Sequence, residues 1–300
     1  MRIDGGKIAE EIKVDLRLKI DDLRLKSIVP KIAIITLGPE ISWEAYVRQK
    51  IKVAGELGIK AVLINLSAKG ETSPKGGEDV DEEKLIQTVR EIDSDPNYHG
   101  IIVQRPIPAN FDRERVVNSI SPEKDVDGFR SDSKFEVPVW LAVRKLLEEV
   151  LSTHVPHPYL SLRERGNMAE EKQWNKLRFT VIGKGETAGD PVIRGLREMG
   201  IELKVIDSKT KNPDEILKNA DIIISCVGKQ NVIRSDQLKK GVILIGVGTH
   251  GEDTGLKGDY SEQEIEKVAT AYTPTPGGVG PVNLSYLFKN LVEAAQNTSS

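Results

Sequence analysis

Apolar residues recur at Ile8, Ile12, Leu16, Ile20 and Leu23, a spacing that predicts one amphipathic helix over residues 4–27. The pattern then shortens into continuous apolar runs. Residues 31–38, 60–66 and 99–104 predict strands, the last of them buried. Helices are predicted between them, over 42–57 and 81–92. Ser42 is placed to cap the first of these and Gly58 to stop it. Pro106 and Pro108 end the third strand, and the Gly-, Ser-, Lys- and Glu-rich stretch 67–80 predicts a loop. Residues 140–151 are helical in pattern. Residues 152–176 show no sustained period and read as a long connection or insertion. Strand-like runs return at 177–182, 201–206, 221–227 and 242–247, with helices between the first three, and a last helix covers 282–296. Strands alternating with helices imply parallel βαβ units and an α/β fold. No repeat at solenoid spacing is present.

A length of 300 residues predicts two domains. A hydrophobic content of 38% suffices for packed cores, and 30% charged residues suit a solvated surface. The net charge of -3 provides no general attraction to nucleic acid or anionic lipid, so neither is an expected partner. No apolar run approaches the roughly 20 residues of a membrane span, and residues 1–7 lack the apolar core of a secretion signal. One cysteine cannot form an internal disulfide, which fits a reducing cytoplasm. Cys226 lies in an apolar run and reads as a small core residue rather than a nucleophile. His154 and His157 are interleaved with prolines and joined by no cysteine, so no metal site is expected.

Several polar constellations punctuate this frame. Tyr46 and Lys50 are four apart, so both project from one helix face. In isolation that is an ordinary solvated face. Paired with a depressed amine pKa, it is a phenol and an amine able to pass protons. Short-chain dehydrogenases also carry Tyr-x-x-x-Lys, but there the nucleotide loop comes first, and here the order is reversed. Gln104 ends a strand, where ligands meet parallel sheets, and its amide is placed to orient Lys50. The segment Lys124-Asp125-Val126-Asp127-Gly128-Phe129 sets two carboxylates beside a turn glycine, either an ordinary Asx-type turn or an acceptor for paired N–H groups. Gly183-Lys184-Gly185 through Gly189 follows a strand and opens a helix. It is a variant of the Rossmann loop with its third glycine one place late, fit to receive a pyrophosphate. Asp207, followed by Ser208, ends the next strand about twenty residues on, where an acid binds a ribose 2′-hydroxyl or simply makes a turn. Near the end, Thr273-Pro274-Thr275-Pro276-Gly277-Gly278-Val279-Gly280-Pro281 suits neither helix nor strand and predicts a shaped backbone surface.

Taken in order, these motifs resemble the bifunctional methylenetetrahydrofolate dehydrogenase/methenyltetrahydrofolate cyclohydrolase family. The matching pieces are Ser42-x-x-x-Tyr46-Val47-Arg48-x-Lys50, Gly100-Ile101-Ile102-Val103-Gln104-x-Pro106-x-Pro108, the paired-Asp loop, Ala220-Asp221-Ile222 through Val227-Gly228-Lys229, and Thr273 through Pro281. The resemblance implies a folate domain over 1–137, completed by the C-terminal helix 282–300. It also implies a Rossmann-type dinucleotide domain over 138–281 that carries the insertion near 152–176, with the family's cleft between the two. It implies Lys50 as the proton-transfer lysine, Gln104 as its orienting partner, Tyr46 as the ring packing on the pterin and Asp127 as acceptor of pterin N–H groups. The Gly277, Gly278, Val279, Gly280 and Pro281 backbone would line the folate channel. Gly183, Lys184, Gly185, Gly189, Asp207 and Ser208 would hold the cofactor. The implied ligands are tetrahydrofolate derivatives and NADP, and the implied assembly is a homodimer.

The departures gather on the cofactor side. Val137-Pro138-Val139-Trp140 replaces the family's Pro-Cys-Thr-Pro, and Gly183-Lys184-Gly185 replaces Gly-Arg-Ser. Asp207 stands where the family commonly has His, and Gly246 replaces the aspartate of a late strand. An Asp at 207 repels a 2′-phosphate, with Lys184, Lys209 and Lys211 as offsets, so NAD is an alternative cofactor. Two further readings stay open at this level: a cyclohydrolase with a degenerate nucleotide site, and a non-catalytic folate- or nucleotide-binding protein.

Overall fold

The computed structural model describes residues 1–37, 44–68, 78–153, 174–252 and 255–298. The elements run α1 (Gly5–Leu25), β1 (Lys31–Leu37), α2 (Glu44–Leu57), β2 (Lys60–Ala68), β3 (Glu78–Val80), α3 (Glu82–Ser94), β4 (Gly100–Val103), α4 (Arg113–Val117) and α5 (Pro138–Thr153). Then follow β5 (Phe179–Ile182), α6 (Gly189–Glu198), β6 (Leu203–Ile206), α7 (Pro213–Asn219), β7 (Ile222–Ser225), β8 (Ile243–Gly246), β9 (Thr249–Glu252), β10 (Gly255–Gly258), α8 (Glu262–Ile265), β11 (Ala271–Tyr272) and α9 (Val279–Asn297). The chain groups into two compact units, one of Glu10–Pro138 with Leu284–Ser300, the other of Met1–Ala9 with Val139–Asn283. The Ser42 cap, His154, His157 and most of the 152–176 stretch lie outside the described residues.

The first unit holds a parallel sheet of order β3-β2-β1-β4. Strand β1 shows why its sequence is apolar throughout. Ile32 and Ile34 pack on one face with Leu16, Ile20, Leu287 and Phe288 from α1 and α9. Ile35 and Leu37 pack on the other with Leu85, Val89 and Val116. A strand covered on both sides loses the polar alternation of a half-exposed one. Helix α3 starts where Asp81 accepts the Lys84 N–H at 2.9 Å, a cap that stabilises it by about 1 kcal/mol. Gly58 ends α2 at φ +71°, a left-handed conformation that favours glycine. Of the expected loop 67–80, Ser67 and Ala68 belong to β2 and Glu78–Val80 pairs beside it, while 69–77 lie outside the described residues. Helix α4, capped by Asp112, was not anticipated, since five residues carry too little period to read.

In α9, the Asn290 amide donates to the Val126 carbonyl at 2.9 Å and to the Glu136 carbonyl at 3.0 Å. The side chain is buried. A polar group deep in an apolar helix face therefore ties down the paired-Asp loop itself, at Val126, and the segment that follows it, at Glu136.

The second unit is a parallel sheet of order β11-β8-β7-β5-β6. From β5 the chain steps to β6 on one side and then back to β7 on the other. That reversal is the topological switch point where parallel sheets take ligands. Beside it, β9 and β10 form an antiparallel hairpin that no hydrophobic alternation announced. Arg2 pairs beside Tyr272, and the Ile3 N–H donates to the Tyr272 carbonyl at 2.8 Å, which attaches the N-terminus to this unit. Trp140 on α5 lies against the backbone of Gly195 on α6, where any side chain would overlap the indole. Helix α9 begins three residues earlier than predicted, so Val279, Gly280 and Pro281 form its first turn. Proline is tolerated there because first-turn N–H groups have no helical partner. Among the described residues no helix is long and apolar enough to cross a membrane.

Two consequences are measurable. Asn290→Ala leaves two carbonyls without their partner and should lower stability by roughly 1–3 kcal/mol in urea unfolding. His99 is buried, and its Nδ1 accepts the Lys31 N–H at 3.2 Å. Burial first, and the charges of Lys124 and Lys31 second, hold its pKa below the usual value. The folded state thus favours neutral imidazole, and its contribution is complete above about pH 6.5. Stability should fall as pH drops from there, by at most about 1.4 kcal/mol per pH unit for one proton. Urea midpoints measured from pH 7.5 to 5 should show this decline, and His99→Asn should flatten it.

Candidate functional site

Lys50 lies at the end of the second turn of α2, and its Nζ donates to Gln104 Oε1 at 2.9 Å. Gln104 follows directly on β4, fixed by its own N–H donating to the Ile35 carbonyl at 2.7 Å. Its Nε2 donates to the Arg105 carbonyl at 3.1 Å, which turns the amide oxygen toward the amine. Desolvation is the larger influence on Lys50 and pulls its pKa below the ordinary lysine value; the charge of Asp127 opposes this. The result is an amine closer to its neutral form than a surface lysine, held by an acceptor and facing a carboxylate. Tyr46 lies one turn earlier on the same helix and is 52% exposed as a residue, so its side chain is accessible on the helix face that carries the amine.

The two acids of the paired-Asp loop have different surroundings. Asp125 is buried and accepts the Arg130 N–H at 2.8 Å. Burial chiefly, and the neighbouring Asp127 charge in the same direction, raise its pKa against the pull of its hydrogen bonds. Gly128 has φ +71°, and a Cβ there would sit 2.8 Å from the Phe135 carbonyl, so the turn requires glycine. The half-buried Asp127 carboxylate makes no hydrogen bond among the described residues and keeps its acceptor capacity for a ligand. The Arg105 guanidinium lies 3.9 Å over the Phe129 ring and joins this loop to the segment after Gln104. Lys50, Gln104, Tyr46 and Asp127 are thus gathered by three elements of one unit.

In the second unit, Gly183 has φ +88°, and a Cβ there would lie 2.9 Å from the Cys226 carbonyl. A side chain at Gly189 would overlap the Gly183 carbonyl. These two glycines are demanded by the turn from β5 into α6. At Gly185 no atom of the described residues occupies the space a side chain would take. Helix α6 starts with no side-chain cap at Ala188; the Asp190 N–H donates to the Gly185 carbonyl at 3.0 Å and Pro191 has no N–H, which leaves the Gly189 N–H of the first turn for an anion. A glycine-punctuated turn before a helix N-terminus with no side-chain cap fits a dinucleotide pyrophosphate. Lys184 Nζ lies 2.7 Å from Asp207 Oδ2. That bond first, and the Lys209 N–H at 2.9 Å second, lower the Asp207 pKa to about 2. Asp207 is therefore both the turn residue and the acid of the loop, while Ser208 is exposed.

The closing motif is anchored at both ends. Thr273 is buried, with Oγ1 accepting the Gly246 N–H at 2.7 Å, and the Thr275 N–H donates to Glu262 Oε1 at 3.0 Å. Gly277 takes φ +101°, and a Cβ at Gly278 would sit 2.8 Å from Thr273 Cβ. The Gly246 departure has a local reason. A Cβ there would lie 2.9 Å from the Tyr260 hydroxyl, which donates to the Thr273 carbonyl at 2.7 Å. Cys226 is half-buried rather than fully in the core. Burial first, and the charge of Asp259 second, push its pKa up, so its thiol is no nucleophile. Sequence reasoning passed over Asn290 and Asp259. The only signal for either was a polar residue embedded in an apolar or glycine-rich stretch.

Residues 3–127 match the catalytic-domain model of tetrahydrofolate dehydrogenase/cyclohydrolase, and residues 167–299 match the NAD(P)-binding domain of the same family. The bifunctional protein FolD of Ligilactobacillus salivarius is 34% identical, over 99% of this chain and 97% of its own length. The structure of the Campylobacter jejuni FolD dehydrogenase/cyclohydrolase superposes with a TM-score of 0.83 at 28% identity, covering 99% of each chain. The Trypanosoma brucei FolD enzyme, solved with NADP and an inhibitor, gives 0.82 at 26% identity, covering 100% of this chain and 98% of its own. With both domains matched and relatives aligned end to end, the chain belongs to the tetrahydrofolate dehydrogenase/cyclohydrolase family.

Proposed function

We propose that this protein oxidises 5,10-methylenetetrahydrofolate to the methenyl form with NAD(P) and hydrolyses that product to 10-formyltetrahydrofolate. The observation that carries the reading is the desolvated Lys50 amine, held by Gln104 and opposed by Asp127. A binding protein has no need of such an amine. Nor does the retained Gly183–Gly189 cradle favour a cyclohydrolase alone.

A bound nicotinamide supplies the hydride acceptor for the first step. The two nitrogens flanking the methylene carbon delocalise the positive charge that remains, so no strong base is required, and alignment supplies most of the rate. Tyr46 offers its ring to the pterin and Asp127 accepts pterin N–H groups, which sets the reacting carbon relative to Lys50. In the second step water adds to the methenyl carbon. Lys50 takes a proton from the added water and returns one to the departing ring nitrogen, while Gln104 keeps the amine in place. A cationic substrate pushes Lys50 further toward its neutral form. The Gly277–Pro281 backbone is assigned to the folate channel. Gly183, Lys184, Gly185, Gly189, Asp207 and Ser208 are assigned to the dinucleotide. The same reading places the protein in the cytoplasm as a homodimer, with a folate domain over 1–137 and 282–300 and a dinucleotide domain over 138–281.

Three outcomes test this. Absorbance of methenyltetrahydrofolate, with NAD and NADP supplied separately, should show cofactor-dependent formation and decay faster than buffer; neither signal would leave only a binder. Lys50→Met should abolish hydrolysis, and wild-type cyclohydrolase turnover in that variant removes Lys50 from the mechanism. At saturating substrate the hydrolysis rate should rise with pH through a value below the ordinary lysine pKa. Asp127→Asn, which removes the opposing charge, should move that limb to lower pH. For the cofactor, Asp207→Asn frees Lys184 for a 2′-phosphate, so KM for NADP relative to NAD should fall about tenfold, as expected for one charge contact. Lys184→Ala should move the ratio the other way.

A further inference from the structure

Asp259 lies immediately after β10, fully buried. Its Oδ2 accepts the Ser225 hydroxyl at 2.5 Å and the Val227 N–H at 3.0 Å. Its Oδ1 accepts the Gly228 N–H at 2.7 Å and the Lys229 N–H at 3.0 Å. Three consecutive backbone N–H groups converging on one oxyanion form a nest, a geometry that elsewhere holds phosphate. Here the chain fills its own nest with a carboxylate. Among the described residues no cation pairs with that charge, which makes its burial costly unless the donors are well placed.

The surroundings fix the arrangement further. Gly228 adopts φ +72°, and a Cβ there would lie 2.9 Å from the Thr249 carbonyl. A side chain at Gly248 would overlap both the Gly228 nitrogen and the Asp259 carboxylate. The clamped segment is the loop leaving the carboxyl end of β7. In the sheet, Ser225 is paired with Ile182, and the Cys226 N–H donates to the Ile182 carbonyl at 2.8 Å. The Gly183 turn packs on the Cys226 carbonyl. The two loops that Asp259 thereby couples, after β5 and after β7, are the walls of the switch-point crevice.

We infer that Asp259 is the positioning residue of the dinucleotide crevice: its carboxylate sets the backbone of residues 225–229, and through Cys226 the Gly183 turn, in the shape that receives the cofactor. The inference rests on the dinucleotide reading of that crevice. Asp259→Asn keeps the volume but replaces one acceptor oxygen by an NH2 group, which faces a backbone N–H whichever way the amide turns. Ser225→Ala removes one donor and leaves the three N–H bonds, so the fold is kept.

Titration calorimetry of the full chain with NADP and with NAD reads the effect directly. Asp259→Asn should weaken dinucleotide binding at least tenfold and Ser225→Ala two- to fivefold. In both, the rise should appear in KM for the dinucleotide, with kcat at saturation changed less than threefold. Wild-type affinity in the two variants overturns the inference. A parallel collapse of the cyclohydrolase rate measured without dinucleotide also overturns it, since that marks a general structural role. If Asp259→Asn does not fold, Ser225→Ala decides alone. A wild-type chain that binds neither dinucleotide overturns this inference together with the proposed function; wild-type binding with unaffected variants overturns this one only.

Discussion

An amine withdrawn from water is the constraint on which the catalytic reading rests. Solvated lysine is a cation at every physiological pH, and a cation neither accepts a proton nor tolerates a positively charged ligand nearby. Lys50 is desolvated, but it is not abandoned: Gln104 gives it a neutral acceptor and Asp127 an opposing charge. A carboxylate in the place of Gln104 would hold the ammonium firmly charged. The neutral amide orients without fixing the proton, and that difference separates a proton relay from a salt bridge. Gln104 can do this because β4 ends there and the Arg105 carbonyl determines which end of the amide faces the amine.

The molecule uses buried acids to shape loops more often than to do chemistry. Asp125 turns inward to the backbone of Arg130, and Asp259 turns inward to three N–H groups in a row. In both cases the neighbouring glycine takes a left-handed conformation that lets the backbone curl around the carboxylate. Such loops hold their form without a hydrophobic core of their own. The residues left facing outward, Asp127 in one and the Gly183 turn in the other, inherit that rigidity.

Much of this was legible from the chain itself. The long apolar runs of β1, β4, β5 and β7 declared strands, and the helix pattern around Tyr46 and Lys50 and the strand end at Gln104 match the elements on which those residues lie. What escaped has physical causes. The β9–β10 hairpin is glycine-rich and polar, so it carries no alternation to read. Helix α4 and strand β11 are too short for any period. The identity of the loop-shaping acid was also hidden, because Asp125 and Asp127 are the same residue type two positions apart. Only the direction each side chain takes tells scaffold from ligand acceptor. The nucleotide loop showed the reverse: three glycines matched a motif, but packing demands only Gly183 and Gly189.

The pairing of Gly246 with the Tyr260 hydroxyl gives the missing late-strand aspartate a different meaning. One small volume beneath the sheet is shared by two sequence positions, and it is filled from the far one. The two positions are therefore sterically coupled in this chain. A carboxylate regained at 246 is viable only alongside a smaller partner at 260, so inspecting either column of a family by itself would mistake an exchange of occupants for a loss.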